Sequence, residues 1–125
     1  MTQEQKDLVL KDLCARVPYG VKYMRYSWDY DADQELPVIE TLECADKNGY
    51  INHIRVYTVE DIKPYLFPLS SMTEEQKSQY SFFLTRIIDG YDSSLLIDWL
   101  NKNHFDYRGL IPMGLAIDAT DKNIY

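Results

Sequence analysis

Asp98–Ala116 reads DWLNKNHFDYRGLIPMGLA and constrains the backbone path more tightly than any other stretch of this chain. A predicted helix ends near Asn103, where the chain turns into an apolar segment. Two glycines within the stretch permit turns that are closed to other residues. From the apolar pattern we expect Gly109–Ile117 to run extended. Asp118–Tyr125 is polar and is expected to fray.

Helical periodicity predicts three main helices before and within this stretch. The first runs from Thr2 to about Arg16, and Thr2 with Gln5 forms a capping-box pattern. Thr73 and Gln76 repeat that pattern at the start of the second helix. The third helix follows Asp92 or Ser93. The inward positions expected in the three helices are Leu10, Leu13, Cys14 and Val17; Tyr80, Phe83, Leu84, Ile87 and Ile88; and Leu95, Leu96, Trp99 and Leu100.

Residues of high β-propensity predict three strands between the first two helices, at Val21–Trp28, Val38–Cys44 and Tyr50–Tyr57. Asp46–Gly49 is a turn sequence, so the last two of these strands are expected to form a hairpin. The first strand would then complete an antiparallel meander. One face of that sheet would carry apolar side chains for the helices to cover. They are Leu42, Cys44, Ile54 and Val56.

The segment Lys63–Ser71, KPYLFPLSS, contains two prolines. Proline donates no backbone hydrogen bond, so the segment is predicted to be an irregular crossover. The fold class expected from the whole pattern is α+β, with about three antiparallel strands in a meander covered by three main helices. At 125 residues the chain is long enough for one globular domain, spanning residues 1–125.

The composition excludes several classes of function. A formal net charge of −7 and scattered basic residues argue against direct contact with nucleic acid. Cys14 and Cys44 make no disulfide framework and are predicted to be small buried hydrophobes. The chain shows neither a signal-peptide pattern nor an apolar run long enough for a membrane span. A reduced, cytoplasmic protein with no membrane contact is therefore expected.

The acidic loop Trp28–Leu36 offers a candidate cation site. Asp29, Asp31, Asp33 and Glu40 match the acidic offsets of a calcium-binding EF-hand loop. However, Gln34 stands where that loop needs glycine, Pro37 lies inside the ligand run, and the flanking segments are predicted strands. A solvated acidic hairpin loop is the competing interpretation.

A second candidate is the polar cluster of His104, Asp106, Tyr107 and Arg108. A histidine beside a carboxylate is a common general-base pair, but no nucleophile motif lies nearby. The structural interpretation is a helix end at Asn103 and His104, with Arg108 either satisfying the exposed carbonyls there or pairing with Asp98 or Asp106. His53 is placed in mid-strand. Together the histidines and cysteines lack zinc-ligand spacing, so no cofactor is expected.

Two blocks, IKPYLFPLSSMTEEQ (Ile62–Gln76) and Asp98–Ala116, resemble a family of small uncharacterised proteins from gut Bacteroidetes. Its members are often encoded in phage-like or other mobile regions. The likeness extends over most of the chain, including the opening helix and the Pro18–Gly20 turn. It implies a compact intracellular α+β domain with no established activity, and therefore transfers no catalytic residues.

The missing catalytic motif, the eleven tyrosines and the acidic surface predict a non-enzymatic protein-interaction module, in a mobile-element setting, whose partner is another protein. One alternative is a cation- or ligand-binding domain that uses residues 28–40. Another is a small enzyme built around His104 and Asp106.

Overall fold

The structure is a computed structural model that describes residues 1–52 and 54–125, without the side chains of residues 54–56. Helix α1 spans Gln3–Arg16, α2 spans Glu74–Ile88 and α3 spans Ser94–Lys102. The six strands are β1 (Lys22–Asp29), β2 (Gln34–Thr41), β3 (Tyr50–Ile51), β4 (Ile54–Thr58), β5 (Ile62–Leu66) and β6 (Ile117–Asp118). The α+β class and the three helices are confirmed. Within the described residues, no helix is both long and apolar enough to cross a membrane.

The main sheet has the strand order β2-β1-β5-β6. Its first two pairings are antiparallel, whereas β6 lies parallel to β5. Strands β3 and β4 form a separate two-stranded sheet. The sheet is thus mixed, and the predicted simple meander of three strands is only partly matched.

The hairpin in the main sheet joins β1 to β2. The predicted hairpin of the second and third strands is present only around the Asp46–Gly49 turn, where Ala45 and Ile51 form one antiparallel bridge. Trp28 pairs with Glu35 and Asp29 with Gln34, so the acidic segment is mostly strand around a short turn. Asp29 accepts hydrogen bonds from the backbone N–H groups of Asp31 and Ala32 and thereby closes this turn. This turn was not identified from the sequence, because Asp29 stands in a run of acidic residues that suggested a loop.

The segment Lys63–Ser71 was predicted to be an irregular crossover, but its first half belongs to strand β5. Pro64 lies opposite Tyr23 in the ladder with β1. On the other side, β6 pairs only with Tyr65 and Leu66, so Pro64 lies outside that ladder. Proline is tolerated in a strand where no ladder donor is required.

Two apolar clusters hold the layers together. The larger packs Val9 and Leu13 of α1 against Tyr23, Ile62 and other residues of the sheet. The smaller lies under α2 and α3, around Leu96, Leu100 and Phe105. Tyr80, Phe83, Ile87 and Trp99 pack partly buried against it, while Leu84, Ile88 and Leu95 are exposed, contrary to expectation.

The cysteine prediction is wrong for Cys14, which is exposed, and Cys44 is half-buried. The buried side of α1 is instead formed by Val9, Leu13 and the charged residues Asp12 and Arg16. The Cys14 Sγ donates a hydrogen bond to the Ala45 carbonyl oxygen, and partial burial raises the pKa of the thiol. Neither observation indicates a reactive thiol. His53 and its predicted mid-strand position lie outside the described residues.

The segment after α3 differs from the extended segment predicted. Residues 110–114 form turns, and only Ile117–Asp118 is a strand. The expected fraying of Asp118–Tyr125 is not observed, because Ala119 is buried and its N–H donates to the Leu66 carbonyl. The Tyr125 hydroxyl accepts from the Lys22 N–H at 2.8 Å and donates to the Tyr65 carbonyl at 2.7 Å.

Candidate interaction surface

The β1–β2 hairpin exposes an apolar sheet face. Side chains alternate between the two faces of a strand, and directly paired residues share a face. Tyr26 therefore lies beside Pro37, and Met24 beside Ile39. Tyr26, Trp28 and Ile39 are 54%, 48% and 49% exposed. Five apolar side chains form this surface, which we call the hairpin face: Met24, Tyr26, Trp28, Pro37 and Ile39.

The opposite side of the same hairpin is anchored by a polar network. The Tyr23 hydroxyl donates to Glu40 at 2.6 Å, and Arg25 donates to the other Glu40 oxygen at 2.6 and 3.0 Å. Burial, and then the hydrogen bond to Glu40, raise the pKa of Tyr23. The hydrogen bond from Arg25 lowers the pKa of Glu40. Arg25 also donates to the Tyr57 hydroxyl at 3.1 Å, which ties the hairpin to β4.

The structure separates the residues of the candidate cation site. Glu40 pairs with Tyr23 at one end of the hairpin, whereas Asp29 lies at the other end. Six residues along a strand span roughly 20 Å, so Glu40 cannot share an ion with Asp29. Asp31 and Asp33 lie in the turn and are exposed. In the described part of the chain, no group of three or more His, Cys, Asp or Glu side chains is arranged to hold a metal ion.

Helices α2 and α3 expose a second apolar surface. It includes Phe82, Leu84, Ile88 and Leu95. The Arg86 guanidinium lies over the rings of Phe82 and Tyr91, at 5.4 and 4.3 Å from their centroids, and covers part of it. We call this surface the helical surface.

The predicted polar cluster is divided between separate structural roles. The Asp106 carboxylate accepts from the backbone N–H groups of Leu110 and Ile111 at 2.8 and 2.9 Å, and so fixes the turn after α3. The His104 ring instead stacks on Tyr125, with 3.6 Å between ring centroids. The acid–base pair of His104 and Asp106 considered from the sequence is therefore not formed, because each group is held by different neighbours.

Arg108 pairs with a partner that the sequence did not suggest. Its Nε donates to Asp12 of α1 at 3.1 Å, and its Nη2 donates to the Tyr107 hydroxyl at the same distance. Tyr107 in turn donates to Asn101 at 2.9 Å. Neither Asp98 nor Asp106, the two expected partners, is involved. The cluster thus clamps the turn after α3 onto α1.

At the centre of this clamp is a fully buried ion pair. Asp12 and Arg16 are both 0% exposed, and their side chains form two hydrogen bonds of 2.8 and 3.1 Å. Arg16 also donates to the Phe105 carbonyl at 2.6 Å. A spacing of four residues on α1 was visible in the sequence, but it is equally typical of an exposed helix pair. Nothing in the pattern distinguished the two.

Burial sets the protonation state of His104. Desolvation, followed by the nearby charges of Arg16 and Lys22, lowers its pKa from 6.5 to about 4. The same enclosed environment raises the pKa of Tyr125 to about 12. His104 is therefore neutral at pH 7, which suits a ring stacked against an aromatic side chain and makes it a poor cationic site.

This shift predicts a pH dependence of stability. Between pH 6.5 and about 4 the unfolded chain protonates His104 while the folded protein does not, so the contribution of His104 weakens as the pH falls. His104 has a φ of +61°, which asparagine tolerates. Urea unfolding at pH 7 and pH 4.5 should show a smaller loss of stability for His104→Asn than for the wild type. Identical losses in the two proteins would contradict this account.

Comparison of the chain with protein-family models, curated proteins and solved structures found no match. The family likeness of Ile62–Gln76 and Asp98–Ala116 therefore stays a prediction.

Proposed function

We propose that the protein is a non-enzymatic protein-interaction module and that it binds a partner protein through the hairpin face. The observation that carries the proposal is the exposure of Tyr26, Trp28 and Ile39 side by side on one sheet face. Contiguous apolar surface of this kind on a folded protein marks contact sites, and Tyr and Trp are the residues that most often dominate binding energy.

The anchoring of the hairpin supports this function. Glu40, Arg25 and Tyr23 hold its inner side, so the outer side is presented with little freedom. A rigid surface loses less entropy when it binds. The separate engagement of His104 and Asp106 supports a role without catalysis.

The setting is also a proposal. The likeness of two sequence blocks to a family often encoded in phage-like regions supports a role linked to a prophage or another mobile element. The same likeness implies an intracellular domain and so supports action in the cytoplasm.

The test is a capture experiment with two matched variants. Tagged wild-type protein should retain a partner from a lysate of the source organism, and the Tyr26→Ser, Trp28→Ser double variant should lose it, because the hairpin face supplies the apolar contact. The Phe82→Ser, Ile88→Ser variant changes the helical surface by the same chemistry and should keep the partner. Thermal melts of all three proteins establish that each is folded.

Two outcomes would overturn the proposal. One is that no protein is retained by the wild type above the level of a tag-only control. The other is that the double hairpin variant retains the same partner while the helical variant loses it, which would assign binding to α2 and α3.

A further inference from the structure

The hairpin face is bordered by negative charge. Asp31 and Asp33 lie in the turn at the tip of the hairpin, Asp31 lines a depression together with Trp28, and Glu35 is paired with Trp28 on the face itself. All three are exposed. Within the described residues none of them takes part in an ion pair, whereas Glu40, on the other side of the hairpin, is neutralised by Arg25.

Among the described residues, strand alternation places the cations Lys22 and Lys63 on the same side of the sheet. Lys63 pairs with Met24 across β1 and β5, at the end of the hairpin face away from the turn. A shallow depression of about 450 Å³ extends along this side of the sheet and is lined in part by Met24, Tyr26, Glu35 and Lys63. Two other acids line it, but Glu60 pairs with Lys6 and Asp61 accepts from the Thr58 N–H. Glu35 is the carboxylate of this depression with no such partner among the described residues.

We propose, building on the proposed function above, that the occupant of the hairpin face is a basic segment of the partner protein, in which lysine or arginine alternates with large apolar side chains. The apolar side chains pack on Trp28, Tyr26 and Ile39. The cationic groups reach Asp31, Asp33 and Glu35, and a cation beside Glu35 also lies within reach of the Tyr26 and Trp28 rings, which attract positive charge.

Charge complementarity separates this occupant from the other candidates. A second copy of the chain would bring the same acidic border, and each copy carries a net charge of −7, so self-association through this face is disfavoured. A nucleic acid is repelled for the same reason. Addition of a strand at the β2 edge is opposed by Pro37, which removes one backbone donor from that strand.

The test uses peptides of defined composition. A short fluorescent peptide in which lysine alternates with tryptophan and leucine is titrated with the folded full-length protein and followed by anisotropy. We expect saturable binding that is lost at about 1 M NaCl, where the Debye length is about 3 Å. The same peptide with glutamate in place of lysine should not bind.

A matched pair of variants localises the binding. Asp31→Asn, Asp33→Asn, Glu35→Gln removes three charges beside the hairpin face and should weaken binding about tenfold, since each exposed ion pair adds a modest increment. Glu75→Gln, Asp89→Asn, Asp98→Asn removes three charges from exposed positions on the α2–α3 side and should leave the affinity unchanged. Asp29 is kept in both proteins because it closes the turn.

Three results would overturn the inference: no saturable binding of the basic peptide, equal binding of the acidic peptide, or equal weakening by the two triple variants. The proposed function is tested separately from this inference. If partner capture depends on Tyr26 and Trp28 but is unchanged in the Asp31, Asp33 and Glu35 variant, the hairpin face binds a partner that is not basic.

Discussion

Asp12→Ala is expected to destabilise the protein by about 3–5 kcal/mol, because it leaves the buried Arg16 guanidinium without its counter-ion. The carboxylate also receives Arg108 at 3.1 Å, so the same substitution releases the clamp between α1 and the turn after α3. Urea unfolding at pH 7 measures the loss. The far-UV circular dichroism spectrum of the variant shows whether it is folded at the start of the titration.

Glu74→Ala provides the control. Glu74 pairs with Lys77 on the surface of α2 at 3.2 Å, and exposed pairs of this kind contribute between about 0 and 1 kcal/mol. A similar loss for the two substitutions would show that the Asp12–Arg16 pair is not desolvated as described.

Phe105→Ala is the second substitution with a large expected effect, again about 3–5 kcal/mol, because a buried aromatic ring is removed and a cavity remains. Phe105 is 2% exposed and packs against Trp99 and Phe67, with ring centroids 5.5 and 6.4 Å apart. The backbone carbonyl that accepts from Arg16 is retained, so the variant isolates the side-chain packing. Thermal unfolding followed by near-UV circular dichroism measures the effect.

Phe82→Ala is the matched control for Phe105→Ala, since Phe82 is 57% exposed on α2. Phe82 contacts the Arg86 guanidinium and the Phe83 ring at the surface, and the loss of such exposed contacts should cost about 1 kcal/mol or less. Equal losses of stability from Phe82→Ala and Phe105→Ala would show that the core under α2 and α3 is not packed around Phe105 as described.

The helices could be predicted from the sequence because their signals are local. Thr2 with Gln5 and Thr73 with Gln76 form the capping boxes expected of them. Gly90, directly after α2, adopts a φ of +95°, the left-handed conformation that glycine favours just past a helix end. Each of these features depends on residues a few positions apart.

The sheet could not be predicted equally well, because strand pairing joins distant residues. Pro64 argued against a strand, but β5 contains it at a position that pairs with Tyr23 of β1 and lies outside the β6 ladder. The pairing of β6 with β5 depends on residues about fifty positions apart, for which no local pattern exists. The hairpin was missed because Asp29 marks the turn through its own side chain, within a run of charges that also matched a cation-binding loop.

The candidate site was only partly accessible from the sequence. Tyrosine-rich strands indicated a contact surface, but which face of β1 is exposed depends on the packing of Tyr23 into the core. Conversely, the candidate acid–base pair of His104 and Asp106 is not formed. His104 stacks on Tyr125, whereas Asp106 accepts hydrogen bonds in the turn after α3. Adjacent positions in a sequence do not place two functional groups together.

The clamp between α1 and the turn after α3 has a consequence for folding kinetics. Arg16 and Phe105 are separated by 89 positions, and Asp12 and Arg108 by 96. Closing so long a loop adds little to the equilibrium cost of folding, which grows only with the logarithm of length, but contacts between distant residues slow the search for the native state. We therefore expect the clamp to form late. Its main effect is then on the lifetime of the folded protein, because contacts absent from the transition state slow unfolding.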